Sequence, residues 1–203
     1  MYKINDVVVY RRDVCRVTGK KKSDFTGEMC YILVPFYSTD NSVTMQVPVS
    51  NKAGHLRDLA TKEEITELIK NAPGIETLES KPANMKSQYA TLMKGDSLED
   101  LICIIKTSYL RNDERLKNHK KLASIDSEYL DKAEKLLYSE LSIALDMSYD
   151  ESKQYFEKEV AKVEKRRLAA SARAKAKKAD EKKPAAKQSA GSGAKKPAAK
   201  KKS

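Results

Sequence analysis

Residues 2–48 of this chain read YKINDVVVYRRDVCRVTGKKKSDFTGEMCYILVPFYSTDNSVTMQVP, and only this part of the sequence shows β-strand patterning. β-Branched and aromatic residues form short runs at Val7–Tyr10 and Tyr31–Val34, and apolar residues alternate with polar ones at Cys15–Thr18 and Val43–Val47. Polar, turn-forming residues separate these runs. We therefore predict four short strands in a small, strongly bent antiparallel sheet or barrel, whose working surface is an edge or a face.

The remainder of the chain shows helical periodicity and then becomes a basic tail. Apolar stripes at helical spacing, with capping residues before them, predict five helices. Residues 111–121 are highly charged and are predicted to form a loop with a partly helical stretch. From about Ala169 onward Ala, Lys, Pro, Ser and Gly dominate, so this part is expected to be disordered. The predicted helix starts are Thr61 with Glu64, Asn84, Ser97 with Asp100, Asp126, and Ser148 with Glu151.

The positive charge of the chain belongs to its tail. The 203 residues carry a net charge of +11, but residues 165–203 alone hold 15 Lys and Arg against two carboxylates. The first 164 residues are therefore slightly acidic. A basic block of this kind attracts polyanions through counterion release, which favours contact with nucleic acid over a solubility role. An anionic membrane surface is the weaker alternative, because the tail has no apolar anchor.

Catalytic and metal-binding motifs are not recognisable in the sequence. His55 and His119 lack partners at ligand spacing, no glycine-rich phosphate loop is present, and no Ser or Cys lies in a nucleophile motif. Three cysteines at unrelated spacings, Cys15, Cys30 and Cys103, argue against a disulfide framework. We therefore expect a protein that is not an enzyme and that binds no cofactor, metal or small-molecule substrate. Without a signal peptide or a membrane-length apolar run, a cytoplasmic location is expected.

A series of short stretches carries a resemblance over about residues 1–146. The stretches are Tyr2–Tyr10, Val43–Pro48, Gly54–Arg57, Ala83–Met85, Gly95–Asp96, and a run from Leu122–Ser124 through Ala133 to Ser139–Ala144. In this order, and at nearly this spacing, they resemble the CarD/CdnL family of bacterial transcription regulators.

The resemblance implies an α+β fold: a small N-terminal Tudor-like antiparallel β module, a compact all-α domain and a disordered basic tail. The expected domains are a β module with a closing helix at 1–75, a helical domain at 76–164 and the tail at 165–203. The β module would dock on the β subunit of RNA polymerase. The helical domain would contact promoter DNA and stabilise the open complex. A nucleoid-associated monomer is expected.

The resemblance also implies site residues. Polymerase-facing residues are expected on adjoining strands at Lys21, Lys22, Met45 and Gln46. The family's DNA wedge, usually Trp, falls on Met85, for which packing on Tyr89 as ordinary core is the alternative. The positions expected to contact DNA are Met85, Lys86, Lys94, Lys117, Lys120, Lys121, Arg166, Arg167, Lys182, Lys183, Lys195 and Lys196.

A second interpretation of the sequence is a nucleoid-associated architectural DNA-binding protein whose β module binds a different protein. Binding of the RNA polymerase β subunit by the β module would distinguish the two interpretations.

Overall fold

The computed structural model describes residues 1–38, 43–79 and 84–180, and for 174–180 the backbone alone. A five-stranded antiparallel sheet is followed by five α-helices, which confirms the α+β class. The strands are β1 (Val7–Tyr10), β2 (Asp13–Lys22), β3 (Met29–Pro35), β4 (Met45–Pro48) and β5 (Leu56–Arg57). The helices are α1 (Lys62–Asn71), α2 (Met85–Lys94), α3 (Leu98–Lys117), α4 (Ser124–Leu145) and α5 (Tyr149–Asp180).

The sheet has the strand order β4-β3-β2-β1-β5, so β4 and β5 are its edges. All four predicted strands are present, and β5 adds a short fifth strand that pairs with β1. One face of the sheet carries a buried apolar cluster, which we call the sheet cluster. The sheet cluster consists of Val8, Cys15, Val17, Tyr31, Leu33, Val47 and Leu56.

Strand β2 is longer than predicted, because the lysines after Gly19 continue the ladder. The sequence placed Lys20–Lys22 in a turn-rich connector, but they pair with Met29–Tyr31 on β3. The Lys20 ammonium also lies 5.1 Å from the centroid of the Tyr31 ring, which favours the extended conformation through a cation–π contact. The prediction of a connector here was therefore wrong.

Two of the predicted helix starts are confirmed by capping boxes. In α1 the Thr61 side chain accepts from the Glu64 N–H while the Glu64 carboxylate accepts from the Thr61 N–H. Ser148 and Glu151 make the same reciprocal pair before α5. Asn84 precedes α2 but makes no side-chain cap hydrogen bond, so its predicted capping role was wrong.

Helices α3 and α5 both extend beyond their predicted ends. Residues 111–117, which belong to a segment predicted as a loop with a partly helical stretch, are all helical and continue α3. Asp126 holds Arg111, and Glu114, Arg115 and Lys117 are good helix formers. Helix α5 continues to Asp180, past the predicted onset of disorder at Ala169. Its Ala, Lys and Arg residues favour helix, and the first Pro beyond them is Pro184. None of the described helices is long and apolar enough to cross a bilayer.

The helices share a second buried apolar cluster, which we call the helical core. Ile65, Leu68 and Ile69 of α1 belong to it, together with buried residues of α2 to α5. Helix α1, assigned by sequence to the β module, therefore packs on the other helices. Residues 1–165 form one compact unit, and a second unit begins at Arg166.

Candidate functional site

The predicted polymerase-facing residues lie on β2 and β4, which are not adjoining strands. Strand β3 lies between them, so this part of the prediction was wrong. Gln46 is in register with Ile32 of β3, whereas Lys22 is in register with Met29. These positions differ by two strand spacings and three residues along β3, or about 10 Å in each direction. A partner that contacts both must span the width of the β2–β4 sheet.

The four predicted residues also divide between the two faces of the sheet. Met45 is half-buried and packs against the sheet cluster. Gln46, the next residue, is exposed and points to the opposite face. Lys21 shares that opposite face, because it is in register with Cys30 and through Cys30 with Pro48. Lys21 and Gln46 are therefore the pair that one flat partner surface can contact.

An exposed aromatic residue at the β2–β3 hairpin escaped the sequence analysis. Phe25 is 99% exposed at the tip of the loop between Lys22 and Met29. The loop is ordered by its own hydrogen bonds: the Ser23 N–H donates to Glu28 O (2.8 Å), and the Gly27 N–H donates to Ser23 O (3.0 Å). A large apolar side chain held in solvent on an ordered loop is typical of an interface anchor. Its only sequence signal is an aromatic residue inside a polar turn.

Strand β4 provides a free edge beside Gln46. In the described residues its one strand partner is β3, so the backbone groups on its other side have no strand partner. Such an edge can accept an additional strand from another chain through main-chain hydrogen bonds.

The predicted DNA-contacting residues of the helices gather mainly at one end of the helical part, which we call the basic end. Helices α2 and α4 begin there and α3 ends there, since Tyr89 and Arg111 both contact Asp126. Its exposed lysines are Lys86, Lys117, Lys120 and Lys121. Of these, Lys117 forms an ion pair with Asp113 (2.6 Å).

A buried polar network holds this end together. The Tyr89 hydroxyl donates to Oδ1 of Asp126 (3.0 Å) and accepts from the hydroxyl of Ser108 (3.1 Å). Arg111 Nε donates to both carboxylate oxygens of Asp126, each at 3.1 Å. Burial raises the pKa of the Tyr89 phenol to about 12, so it stays a donor even in alkaline solution at which an exposed tyrosine would ionise. The network fixes the relative positions of α2, α3 and α4, and with them the lysines of the basic end.

The other predicted DNA-contacting residues lie elsewhere. Lys94 is exposed at the last residue of α2, about 12 Å along the helix from Lys86. Arg166 and Arg167 are exposed on α5, in the second compact unit. The tail residues Lys182, Lys183, Lys195 and Lys196 lie outside the described residues.

Met85 belongs to the helical core. Its side chain is 1% exposed, and it lies in the same buried cluster as Tyr89. A wedge that inserts between base pairs must present its side chain to the groove. The structure therefore favours the alternative that the sequence left open, in which Met85 is a core residue.

Among the described residues, Arg57, Tyr37 and Arg12 make polar contacts that join the sheet to the helices, and no local sequence signal predicts them. Arg57 of β5 forms a bidentate ion pair with Glu140 of α4, at 2.6 and 2.8 Å. The Tyr37 hydroxyl lies 2.6 Å from Ser142 Oγ, also on α4. The third contact is made by Arg12, whose backbone has a φ of 74° in the β1–β2 turn.

The Arg12 side chain is 3% exposed and bonds to the segment between α2 and α3. It donates to the carbonyls of Leu92 (2.9 Å), Met93 (3.2 Å) and Ser97 (2.9 Å), and to the Asp100 carboxylate (3.1 Å). It therefore stabilises the C-terminal end of α2, where the last carbonyls have no N–H four residues on within the helix and the Leu92 carbonyl also accepts from the Gly95 N–H.

The described residues contain no group of three or more His, Cys, Asp or Glu side chains that could hold a metal ion. A scan against protein-family models finds no match to this chain, and no curated protein matches it.

Proposed function

We propose that this protein is a transcription regulator that docks on the β subunit of RNA polymerase and contacts promoter DNA to stabilise the open complex. The observation that carries the proposal is the division of the described chain into an edge-bearing sheet and a helical part with a basic end. In this proposal the sheet is the Tudor-like module of the CarD/CdnL family. The strand order suits that module: β1 to β4 form a meander, and β5 pairs with β1.

Docking would use the face and edge formed by β2 to β4. Lys21 and Gln46 share the face opposite the sheet cluster, and in the part of the chain that the structure describes the outer side of β4 has no strand partner beside Gln46. Main-chain pairing at an edge supplies affinity, and the adjacent side chains supply specificity.

DNA contact would use the basic end and the tail in different ways. Lys86, Lys120 and Lys121 lie on ordered elements or between them, so they can contact phosphates at defined positions. Residues 165–203 carry a net charge of +13, which favours steeply salt-dependent binding without base readout.

The direct test is a pull-down of purified RNA polymerase β subunit by the full chain. Residues 1–75 alone are unsuitable, because cutting there would expose Ile65, Leu68 and Ile69 of α1. We expect binding by the wild-type chain and weaker binding by a Lys21→Glu, Gln46→Glu double variant. Lys158→Glu with Gln154→Glu, at exposed positions of α5, is the control with the same two types of substitution and the same charge change.

The alternative function, an architectural DNA-binding protein whose sheet binds a different partner, makes the opposite prediction. The full chain would then bind and compact DNA without retaining the polymerase β subunit. That result would refute the transcription proposal.

A further inference from the structure

An apolar groove with a volume of about 320 Å³ lies between α3, α4 and α5, beside the 3₁₀ turn at Ala72–Gly74. It is separate from the β4 edge and lies within the compact unit of residues 1–165. Ile102, Tyr138 and Phe156 are buried beneath it. The groove is large enough to accept apolar side chains of another molecule.

One side of the groove is formed by the turn at Ala72 and Pro73, which Lys106 binds. Lys106 extends across the C-terminal end of α1, where its ammonium donates to the carbonyls of Ala72 (3.0 Å), Pro73 (3.3 Å) and Ile75 (2.6 Å). Three hydrogen bonds to backbone oxygens fix both the lysine and the turn. Tyr109, one turn further along α3, is 67% exposed at the edge of the groove.

The rim of the groove is acidic. Glu134, Glu157 and Glu164 line it, and among the described residues the one cation in the lining is Lys106. The Lys106 ammonium is occupied by backbone carbonyls, and Glu134 pairs with Lys153 at 2.7 Å. Glu157 and Glu164 are exposed. They are seven residues apart on α5, which separates them by about 10 Å along the helix axis.

The tail of this chain does not supply the apolar side chains that the groove fits. Beyond Leu168 the sequence contains no apolar residue larger than Ala and Pro. Residues 169–203 therefore do not provide a segment that fills the groove.

We propose that this groove binds a basic amphipathic helix of a partner protein. Leu-sized side chains at i, i+3, i+4 and i+7 would enter the groove, and Lys or Arg residues about two turns apart would pair with Glu157 and Glu164. This interaction surface is independent of polymerase docking. Its failure would leave the proposed function untouched, and the reverse also holds.

The test uses the full chain and two synthetic helix-forming peptides with the same Leu pattern, one flanked by Lys and the other by Glu. Binding is measured by calorimetry at fixed salt. We expect the Lys peptide to bind, and an Ala161→Phe variant to lose that binding, because Ala161 is an exposed residue of the groove lining. A far-UV circular dichroism spectrum establishes that the variant is folded.

Charge reversal then tests the rim. In a Glu157→Lys, Glu164→Lys variant, binding of the Lys peptide should weaken about fivefold or more, and that of the Glu peptide should strengthen. A Glu67→Lys, Asp131→Lys variant carries the same charge change at exposed positions outside the groove and should bind like the wild type.

Absence of binding by the Lys peptide, or equal binding by the wild type and the Ala161→Phe variant, would overturn the proposal. Any binding of the Glu peptide to the basic tail is recognised because it persists in the Ala161→Phe variant.

Discussion

The ion pair between Arg57 and Glu140 predicts unequal costs for the loss of its two partners. The Glu140 side chain is 1% exposed, whereas the Arg57 side chain is 29% exposed. Arg57→Ala leaves a buried carboxylate without its counter-ion, and its expected cost is about 3–5 kcal/mol of the free energy of unfolding. Glu140→Gln leaves a guanidinium that water can reach. In the wild type the Ala60 N–H donates to the Glu140 carboxylate at 3.1 Å, and the amide oxygen of the variant can still accept this hydrogen bond.

For Glu140→Gln we therefore expect a smaller loss, of about 1–3 kcal/mol. The measurement is urea unfolding of the full chain, followed by far-UV circular dichroism, with the slope of the transition compared between variants. Glu128→Gln is the control, because its ion pair with Lys132 is exposed and its loss should leave the unfolding midpoint unchanged.

If the two substitutions lowered the free energy of unfolding equally, or Glu140→Gln lowered it more, the difference in burial would not determine the cost of losing each partner. An unaltered midpoint for Arg57→Ala would show that the contact contributes nothing to the folded unit. If Arg57→Ala is too unstable to study, Arg57→Lys keeps a charge beside Glu140 and should fall between the wild type and Glu140→Gln.

Four further predictions concern packing, the tail and the thiols. Gly95→Ala should cost about 1–3 kcal/mol by urea unfolding, because a Cβ there would clash with Asp100 Oδ2, whereas Gly19→Ala, with open space around it, should be neutral; equal effects would contradict this. Met85→Ala should lower the free energy of unfolding by about 2–5 kcal/mol, because it truncates a core side chain, and unchanged stability would contradict the assignment of Met85 to the helical core. Deletion of residues 165–203 should weaken DNA binding several-fold and flatten its salt dependence while leaving polymerase docking intact; equal affinity at low salt with and without the tail would refute this. Cys103, the one partly exposed thiol, should react first with a disulfide reagent, whereas Cys15, whose pKa burial raises to about 12, should react only on unfolding; early labelling of Cys15 would be the contrary result.

The features predicted from sequence are those specified by local chemistry. The β-branched run at Val7–Tyr10 predicts a strand, and the reciprocal Thr61–Glu64 and Ser148–Glu151 pairs fix two helix starts. Each depends on neighbours within four residues, so the sequence contains the whole signal.

The features that escaped prediction depend on distant partners. Arg12 appears in the sequence as one more charged residue of a turn, but its hydrogen-bond acceptors lie 80 to 88 residues further along the chain. Likewise, Arg111 continues α3 through a charged segment because Asp126 holds it from α4. The candidate site shows the same limit: Lys21 and Gln46 were named from sequence, but the intervening strand and the exposed Phe25 needed the sheet topology and the loop geometry.

The contacts of Arg12, Arg57 and Tyr37 restrict how the sheet can move relative to the helices. The Arg12 guanidinium bonds directly to the end of α2, and Arg57 and Tyr37 hold α4, so the sheet is tied to two separate helices. Contacts to two helices oppose movement of the sheet against the helices more than a contact to one helix would. The β4 edge and the basic end therefore belong to one compact unit, and the fold sets the distance between them.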